Sequence, residues 1–261
     1  MLLRKGIVLS IAPRFHHALR WPDRLEINGG IDLSRGEIAP RSDWRRLSAE
    51  ELECLVPAEI PHADAVLDGE HAGLFNLPTP LRREWWEAAQ RLQEEPESDA
   101  FDAYVRRLVA FFEFKRLPLP PACGFEVRVS RPGLPSTREE AVAGRGRGLA
   151  FGATESGRAE RVVAKLNVGD EATHLSLVNL SASAMSAHCG DAVDGVKVAS
   201  EEELLRSFAA ALPDYPVIRL RLEPGEGLWF PVAGMAHDGD TIGKLDLDVV
   251  LTMSVGATPR S

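Results

Sequence analysis

The sequence has few cysteines, no long hydrophobic run and no excess of positive charge. Its 261 residues include only Cys54, Cys123 and Cys189, which are odd in number and far apart. That spacing argues against a disulfide framework and against a Cys-x-x-Cys zinc site, and it favours a reducing compartment. No window approaches the ~20 apolar residues of a membrane span, and the apolar run after Lys5 is too short for a signal peptide. We therefore expect a soluble, cytoplasmic protein.

The charge balance restricts the partners that the protein can have. Thirty lysines and arginines stand against 39 aspartates and glutamates, so the formal net charge is -9. An acidic chain without a basic, aromatic-interleaved stretch is a poor match for nucleic acid. We expect a small-molecule partner, no nucleic acid and no membrane, and we leave a homodimer open. A hydrophobic content of 44% is ordinary for a globular protein with a sizeable core.

Residues 1–120 are predicted to be mainly helical, after two weak strand patterns near the amino terminus. Ser48 and Glu51 have the spacing of a capping box. Thr79 and Pro80 start a second helix pattern, and a third begins at Ser98. The third pattern repeats large apolar residues at steps of three and four, which is typical of a packing face rather than of a cofactor site.

Residues 121–261 are predicted to be rich in strands, because three prolines within residues 117–121 end the helical pattern. Short apolar and alternating segments follow, and they favour an antiparallel sandwich or barrel. Ser181 to Asp194 is predicted to be a loop, and a last strand is predicted from Leu245 to Val255. The expected fold class is α+β, with helices packed on the strands in one continuous globule.

One segment of the strand-rich half resembles a known motif. Gly225-Glu226, Pro231, Gly234 and His237 are similar to the second signature motif of the cupin superfamily and to the Gly-Asp…Pro…His segment of JmjC-type oxygenases. Glu226 stands where those families have aspartate, and one extra residue separates Pro231 from Gly234. The resemblance implies a double-stranded β-helix, that is, a cupin-like jelly roll, in which His237 is a metal ligand.

The partners of His237 in such a site are open between two sets. On the cupin pattern, His174 joins His237, and the carboxylate comes from Asp191, Asp238 or Asp240. The alternative set is His188, Asp191 and His237, similar to the triad of 2-oxoglutarate oxygenases, although two residues separate His188 from Asp191 instead of one. Two imidazoles and a carboxylate with open positions suit non-heme Fe(II).

If 2-oxoglutarate binds, its distal carboxylate needs a fixed cation, and arginine offers bidentate geometry. Arg219 and Arg221 share the polar face of the strand that leads into the motif, so they are the candidates.

Three functions follow from these patterns. The first is a mononuclear non-heme Fe(II) oxygenase, with or without 2-oxoglutarate, that oxidises a small polar metabolite. The second is a non-catalytic, cupin-like module that binds a small molecule or a protein. The third is a metal-dependent isomerase or lyase on the same barrel. Whether the chain is an enzyme is thus left open, with the first function preferred.

Overall fold

A computed structural model describes residues 3–11, 21–33, 37–56, 71–95, 98–115, 123–137, 148–151, 160–190, 200–230 and 235–256. This part of the chain contains two large β-sheets, one two-stranded sheet, five α-helices and a short 3-10 helix (Trp21–Arg24). The helices are α1 (Ala49–Leu55), α2 (Thr79–Glu94), α3 (Ala100–Phe114), α4 (Ala182–Gly190) and α5 (Glu201–Ala211). The strands are β1 (Val8–Ile11), β2 (Leu25–Ile27), β3 (Ile31–Asp32), β4 (Ala39–Pro40), β5 (Arg45–Arg46), β6 (His71–Asn76), β7 (Cys123–Ser130), β8 (Glu160–Asn167), β9 (Thr173–Leu177), β10 (Ile218–Leu222), β11 (Glu226–Phe230), β12 (His237–Asp240) and β13 (Asp248–Gly256).

The strands form a six-stranded sheet in the order β1-β6-β11-β8-β13-β7 and a five-stranded sheet in the order β12-β9-β10-β2-β5, while β3 and β4 form a separate pair. The paired strands are antiparallel except for β1 with β6, which are parallel. The chain is therefore a mixed helix and strand protein, as expected. The described strands do not close into a barrel.

Apolar side chains fill a layer on each side of the six-stranded sheet. Between the two sheets lies an inter-sheet layer of mostly aliphatic residues, including Leu74, Leu177 and Leu228. On the opposite face lies a helix layer, in which α2 and α3 pack aromatic residues such as Trp85 and Phe112 against the sheet. A third cluster packs α4 and α5 beside the end of the five-stranded sheet.

Several local predictions are confirmed. Ser48 and Glu51 form the predicted capping box at the start of α1, with Glu51 N–H donating to Ser48 Oγ and Ser48 N–H donating to the Glu51 carboxylate. Helices α2 and α3 lie where the two longer helix patterns are. The strand β10 has the expected alternation, with Ile218, Leu220 and Leu222 buried.

Other elements differ from the predictions. The predicted loop after Ser181 contains α4, because its alanines and serines tolerate a helix and Met185 and Cys189 bury one side of it. The last strand begins at Asp248 rather than at Leu245, since residues before it form a turn in which Leu245 is exposed. The described residues among the first 120 contribute six short strands in addition to three α-helices, and strands from both halves of the chain share each large sheet.

Candidate functional site

The side chain of His237 lies in the inter-sheet layer. In the ladder between β12 and β9, His237 stands directly opposite Leu177, and directly opposed residues share one face of a sheet. The imidazole is 4% exposed, and its ring lies edge to face with Phe230 at 4.8 Å between centroids. A polar ring thus lies among apolar side chains.

The orientation of this ring is set by the backbone. His237 Nδ1 is 3.1 Å from the carbonyl oxygen of Met235, and because a carbonyl can only accept, Nδ1 is the donor. In a neutral imidazole the lone pair then belongs to Nε2. Metal-binding histidines use the same arrangement, in which one ring nitrogen donates to a carbonyl and the other is the ligand.

His174 is on the other face of the same sheet. It stands opposite Asp240 and Arg221, three positions before Leu177, and side chains an odd number of positions apart on a strand point to opposite faces. Its Nδ1 is buried, has no hydrogen-bond partner among the described residues and lies 3.7 Å from Asp240 Oδ1. The fold therefore does not bring His174 and His237 together.

The second predicted ligand set is described only in part. His188 is near the end of α4, and Arg4 Nη1 lies 3.1 Å from its Nδ1 and 3.2 Å from its Nε2. A metal cation bound to this ring would sit beside a fixed positive charge, which opposes binding. Asp191 lies outside the described residues.

The two arginines predicted to hold 2-oxoglutarate are engaged elsewhere. Arg219 Nε donates to Glu26 Oε2 at 2.9 Å, and its guanidinium stacks over the ring of Trp44 at 4.4 Å. Arg221 lies 3.1 Å from Glu223 Oε1. Both arginines alternate with the inward-facing leucines of β10, so they are on the face of the sheet opposite to His237.

The alternative carboxylates are also on that outer face. Asp238 Oδ1 accepts from the backbone N–H of Gly239 at 2.8 Å, and Asp240 Oδ1 accepts from the N–H of Ile242 at 3.2 Å. Within the part of the chain that is described, no group of three or more His, Cys, Asp and Glu residues could hold a metal ion. These residues alone do not fit the iron site that the motif implies.

Glu226, which stands where the motif has aspartate, stabilises a turn. Its Oε2 accepts from the backbone N–H of Glu223 at 2.9 Å and forms a short ion pair with Arg24. It therefore closes the turn before β11 and ties that turn to the segment before β2. Gly225 in the same turn has φ of +82°, a conformation that favours glycine.

A different site lies at the helix layer, where α2 and α3 meet the turns after β8 and β10. A small open cleft is lined by Leu77, Arg82, Trp85, Trp86, Tyr104, Asn167, Val168, Gly169, Asp170, Pro224 and Gly225. Arg82, Trp85 and Trp86 reach it from one side of α2, because residues three and four apart share a helix face. A Cβ on Gly225 would lie 2.4 Å from Arg82 Cδ, so the glycine leaves room for this side chain.

Two side chains that line the cleft have polar atoms without partners. Trp85 is 6% exposed and Tyr104 is 3% exposed, and neither the indole N–H nor the phenol oxygen has a hydrogen-bond partner among the described residues. Burial, and to a lesser extent the charge of Glu84, raises the pKa of Tyr104, so the phenol remains protonated at neutral pH. Leaving such a buried group unpaired costs about 1–3 kcal/mol.

The side chains that line the cleft favour a hydrogen-bond acceptor as the ligand. Arg82, the Trp85 N–H and the Tyr104 O–H are all donors. The cleft also adjoins the amino-terminal turn of α2, whose N-cap residue Pro78 provides no side-chain hydrogen bond. Helix amino termini attract anions. Asp170, which is exposed, adds one negative charge at the rim.

Tyr104 lies in the third helix pattern, which was predicted to be a packing face, and Trp85 lies in the second helix pattern. The residue types themselves indicated a polar requirement, because a buried Trp N–H or Tyr O–H needs a hydrogen-bond partner, whereas Phe and Leu have no such group. The approach of Gly225 to Arg82 had no such signal, since the two residues are far apart in the chain.

Comparison with known proteins gives no family for the chain: no family model matches it, and no curated protein matches its sequence. None of the described helices is long and apolar enough to cross a membrane.

Proposed function

We propose that this protein is a non-catalytic binding protein for a small carboxylate-bearing molecule, which it holds in the cleft between α2, α3 and the six-stranded sheet. The observation that carries the proposal is that Trp85 and Tyr104 line one cleft with Arg82, and that their buried Nε1–H and O–H groups have no hydrogen-bond partner among the described residues. A carboxylate has acceptor sites for all three groups.

Binding would pair these donors in a partly desolvated site. The guanidinium of Arg82 supplies the charge, and arginine can engage a carboxylate through two parallel hydrogen bonds. The indole and phenol groups fix the orientation, because both are held by packing in the helix layer. Asp170 at the rim suits a ligand that also carries an ammonium group, such as an amino acid.

For the scaffold we propose a cupin-like double-stranded β-helix built from β7 to β13 together with residues 148–151. Its support is the path of the chain, which moves from β8 to the other sheet for β9 and β10, back for β11, across for β12 and back for β13. The bridge between Ala150 and His237 adds a further piece beside β12.

Titration calorimetry with acetate, alanine and methylamine tests the binding proposal. We expect acetate and alanine to bind and methylamine not to bind. Arg82→Ala and Trp85→Phe should each weaken binding about tenfold or more, because a buried charged or donor contact is lost. Arg83→Ala is the matched control, since Arg83 is exposed and paired with Glu87.

Two results would contradict the proposal: the absence of binding by either carboxylate, or equal weakening by Arg82→Ala and Arg83→Ala. Asp170→Asn separates the ligand types, because it should weaken alanine and leave acetate unchanged if the ammonium group contacts this carboxylate.

The Fe(II) oxygenase is a second candidate, favoured by the hydrogen bond between His237 Nδ1 and Met235 O. Its remaining ligands would have to come partly from outside the described residues, for example Asp191. Metal analysis of protein produced with ample iron tests it, with His237→Ala and with His174→Ala as the control on the opposite face. Iron that only His237→Ala removes supports the oxygenase; no iron, or iron in both variants, contradicts it. Metal-dependent turnover without oxygen uptake would instead indicate an isomerase or lyase.

A further inference from the structure

The strand β7 is an open edge of the six-stranded sheet. It pairs along one side with β13, from Cys123 opposite Val255 to Ser130 opposite Asp248, and no described strand pairs with its other side. At eight residues it is longer than the terminal strands β1, β12 and β5. A long edge with unpaired backbone groups is a template for pairing with another chain.

The other comparable edge is covered. Along β12, Thr137 N–H donates to Gly239 O at 2.8 Å, and Ala150 and His237 exchange backbone hydrogen bonds. Among the described terminal strands, β7 is therefore the longest one whose outer side has no paired strand.

The two faces of β7 have different chemistry. Val127 and Val129 stand opposite Leu251 and Val249, on the face that the helices cover, yet they are 37% and 51% exposed because the cover does not extend this far. On the other face Glu126 and Arg128 form an ion pair at 3.6 Å. The edge thus presents an apolar row on one face and one charge of each sign on the other.

We propose that a second copy of this chain pairs with β7, antiparallel, about a two-fold axis through Val127. In this register Glu126 of each copy stands opposite Arg128 of the other, so two ion pairs form across the axis. On the apolar face, Phe125 stands opposite Val129 of the other copy, and the two Val127 side chains meet. Cross-strand pairs of these kinds stabilise antiparallel ladders.

Charge selects this register among its neighbours. In a continuous antiparallel sheet, directly opposed residues have their side chains on the same face. The two-fold axis can therefore pass through a residue of β7 but not between two residues. An axis through Glu126 would set the two Glu126 carboxylates against each other, and an axis through Arg128 would do the same for the guanidiniums. Like charges directly opposite are destabilising. Only the axis through Val127 opposes unlike charges at both positions.

Charge reversal tests the surface. By light scattering after gel filtration, we expect the unmodified protein to be dimeric, Glu126→Arg and Arg128→Glu each to raise the dimer dissociation constant about tenfold or more, and the double variant to restore it. Circular dichroism of each variant checks that the monomer is folded. A monomeric unmodified protein, or dimers insensitive to either reversal, would overturn the proposal.

Cross-linking tests the register in a Cys123→Ser background. Under oxidation Val127→Cys should form a disulfide between copies, because residues directly opposite on an antiparallel ladder are within disulfide reach. Val129→Cys is the matched control, an exposed valine on the same face whose two copies would lie well apart. Equal cross-linking of both variants would show the register to be wrong. Because β7 is not part of the carboxylate cleft, failure of either proposal leaves the other standing.

Discussion

The two layers on either side of the six-stranded sheet are built from different side chains. Neighbouring residues of β11 separate them: Leu228 points into the inter-sheet layer and Trp229 into the helix layer. The same division occurs on β6 between Leu74 and Phe75. The inter-sheet layer is mostly aliphatic, whereas the helix layer contains edge-on aromatic pairs such as Trp85 with Tyr104 at 5.5 Å.

The two layers contribute differently: the inter-sheet layer contributes to stability, and the helix layer also has groups that can bind a ligand. Aliphatic side chains stabilise the fold only through burial and packing. A layer made of them therefore holds the two sheets together. Trp and Tyr add a polar end that needs a partner. In the helix layer Trp85, Tyr104 and Trp229 each have a buried polar atom without a partner among the described residues. This layer therefore retains hydrogen-bonding capacity that a ligand can use.

The largest expected effect is in the inter-sheet layer. Leu228→Ala should lower the free energy of unfolding by about 2–5 kcal/mol, because it removes buried methyl groups and leaves a cavity. Urea denaturation measures the change, with Leu245→Ala, at an exposed turn position, as the control at under about 0.5 kcal/mol. Carboxylate affinity of the folded variant should be unchanged. A cost below about 1 kcal/mol would mean that this layer is not the principal core.

A smaller effect concerns α1, which places Leu55 in the inter-sheet layer. Hydrogen bonds from Arg45, and then from the Ser48 backbone, lower the pKa of Glu51 from 4.5 to about 2. A depressed pKa contributes stability that is present above pH 4.5 and is lost as the pH falls toward 2. We expect ionised Glu51 to contribute about 1–2 kcal/mol to the free energy of unfolding at neutral pH. This is less than the full linkage value, because Arg45 is largely exposed and solvent screens its charge.

Urea denaturation of Glu51→Gln against the unmodified protein measures this contribution. The difference between them should shrink as the pH falls from 4.5 toward 2, and the exposed Glu50→Gln should show no comparable difference. A difference that persists unchanged through this range would exclude ionisation of Glu51 as its cause.

The Tyr104 hydroxyl is expected to matter for binding but hardly for stability. Tyr104→Phe removes an unpaired hydroxyl and keeps the ring, so the free energy of unfolding should stay within about 0.5 kcal/mol or rise. Carboxylate affinity should nevertheless fall. Thermal unfolding and calorimetry on the same samples give both numbers. A loss of more than about 1 kcal/mol in stability would indicate that the hydroxyl has a partner in the unliganded protein.

Predictability differed among elements for identifiable reasons. Helices α2 and α3 could be predicted because each has one apolar side and one polar side. The strand β6 was missed because residues 72–75 are buried on both of its faces, so the sequence shows no alternation there. The start of β13 was misjudged because Leu245 and Leu247 continue the alternating pattern into an exposed turn.

The candidate site was less predictable than the fold. The motif predicted His237 as a metal ligand, and this residue is buried, but which histidines share its face depends on the pairing of β9 with β12. A shift of one residue in that pairing would exchange the two faces. The cleft could not be predicted from the sequence, because it is formed by α2, α3 and the turns around Gly169 and Gly225, which come from distant parts of the chain.

Local chemistry along the chain determined where α1 begins and that one face of β10 is apolar. These properties depend on neighbouring residues, whose spacing can be seen in the sequence. Only the tertiary structure decided that His174 faces away from His237, that Arg219 is paired with Glu26 and that Arg82, Trp85 and Tyr104 line one cleft. Strand register and helix docking set those contacts, and both arise from packing between segments that are remote in sequence.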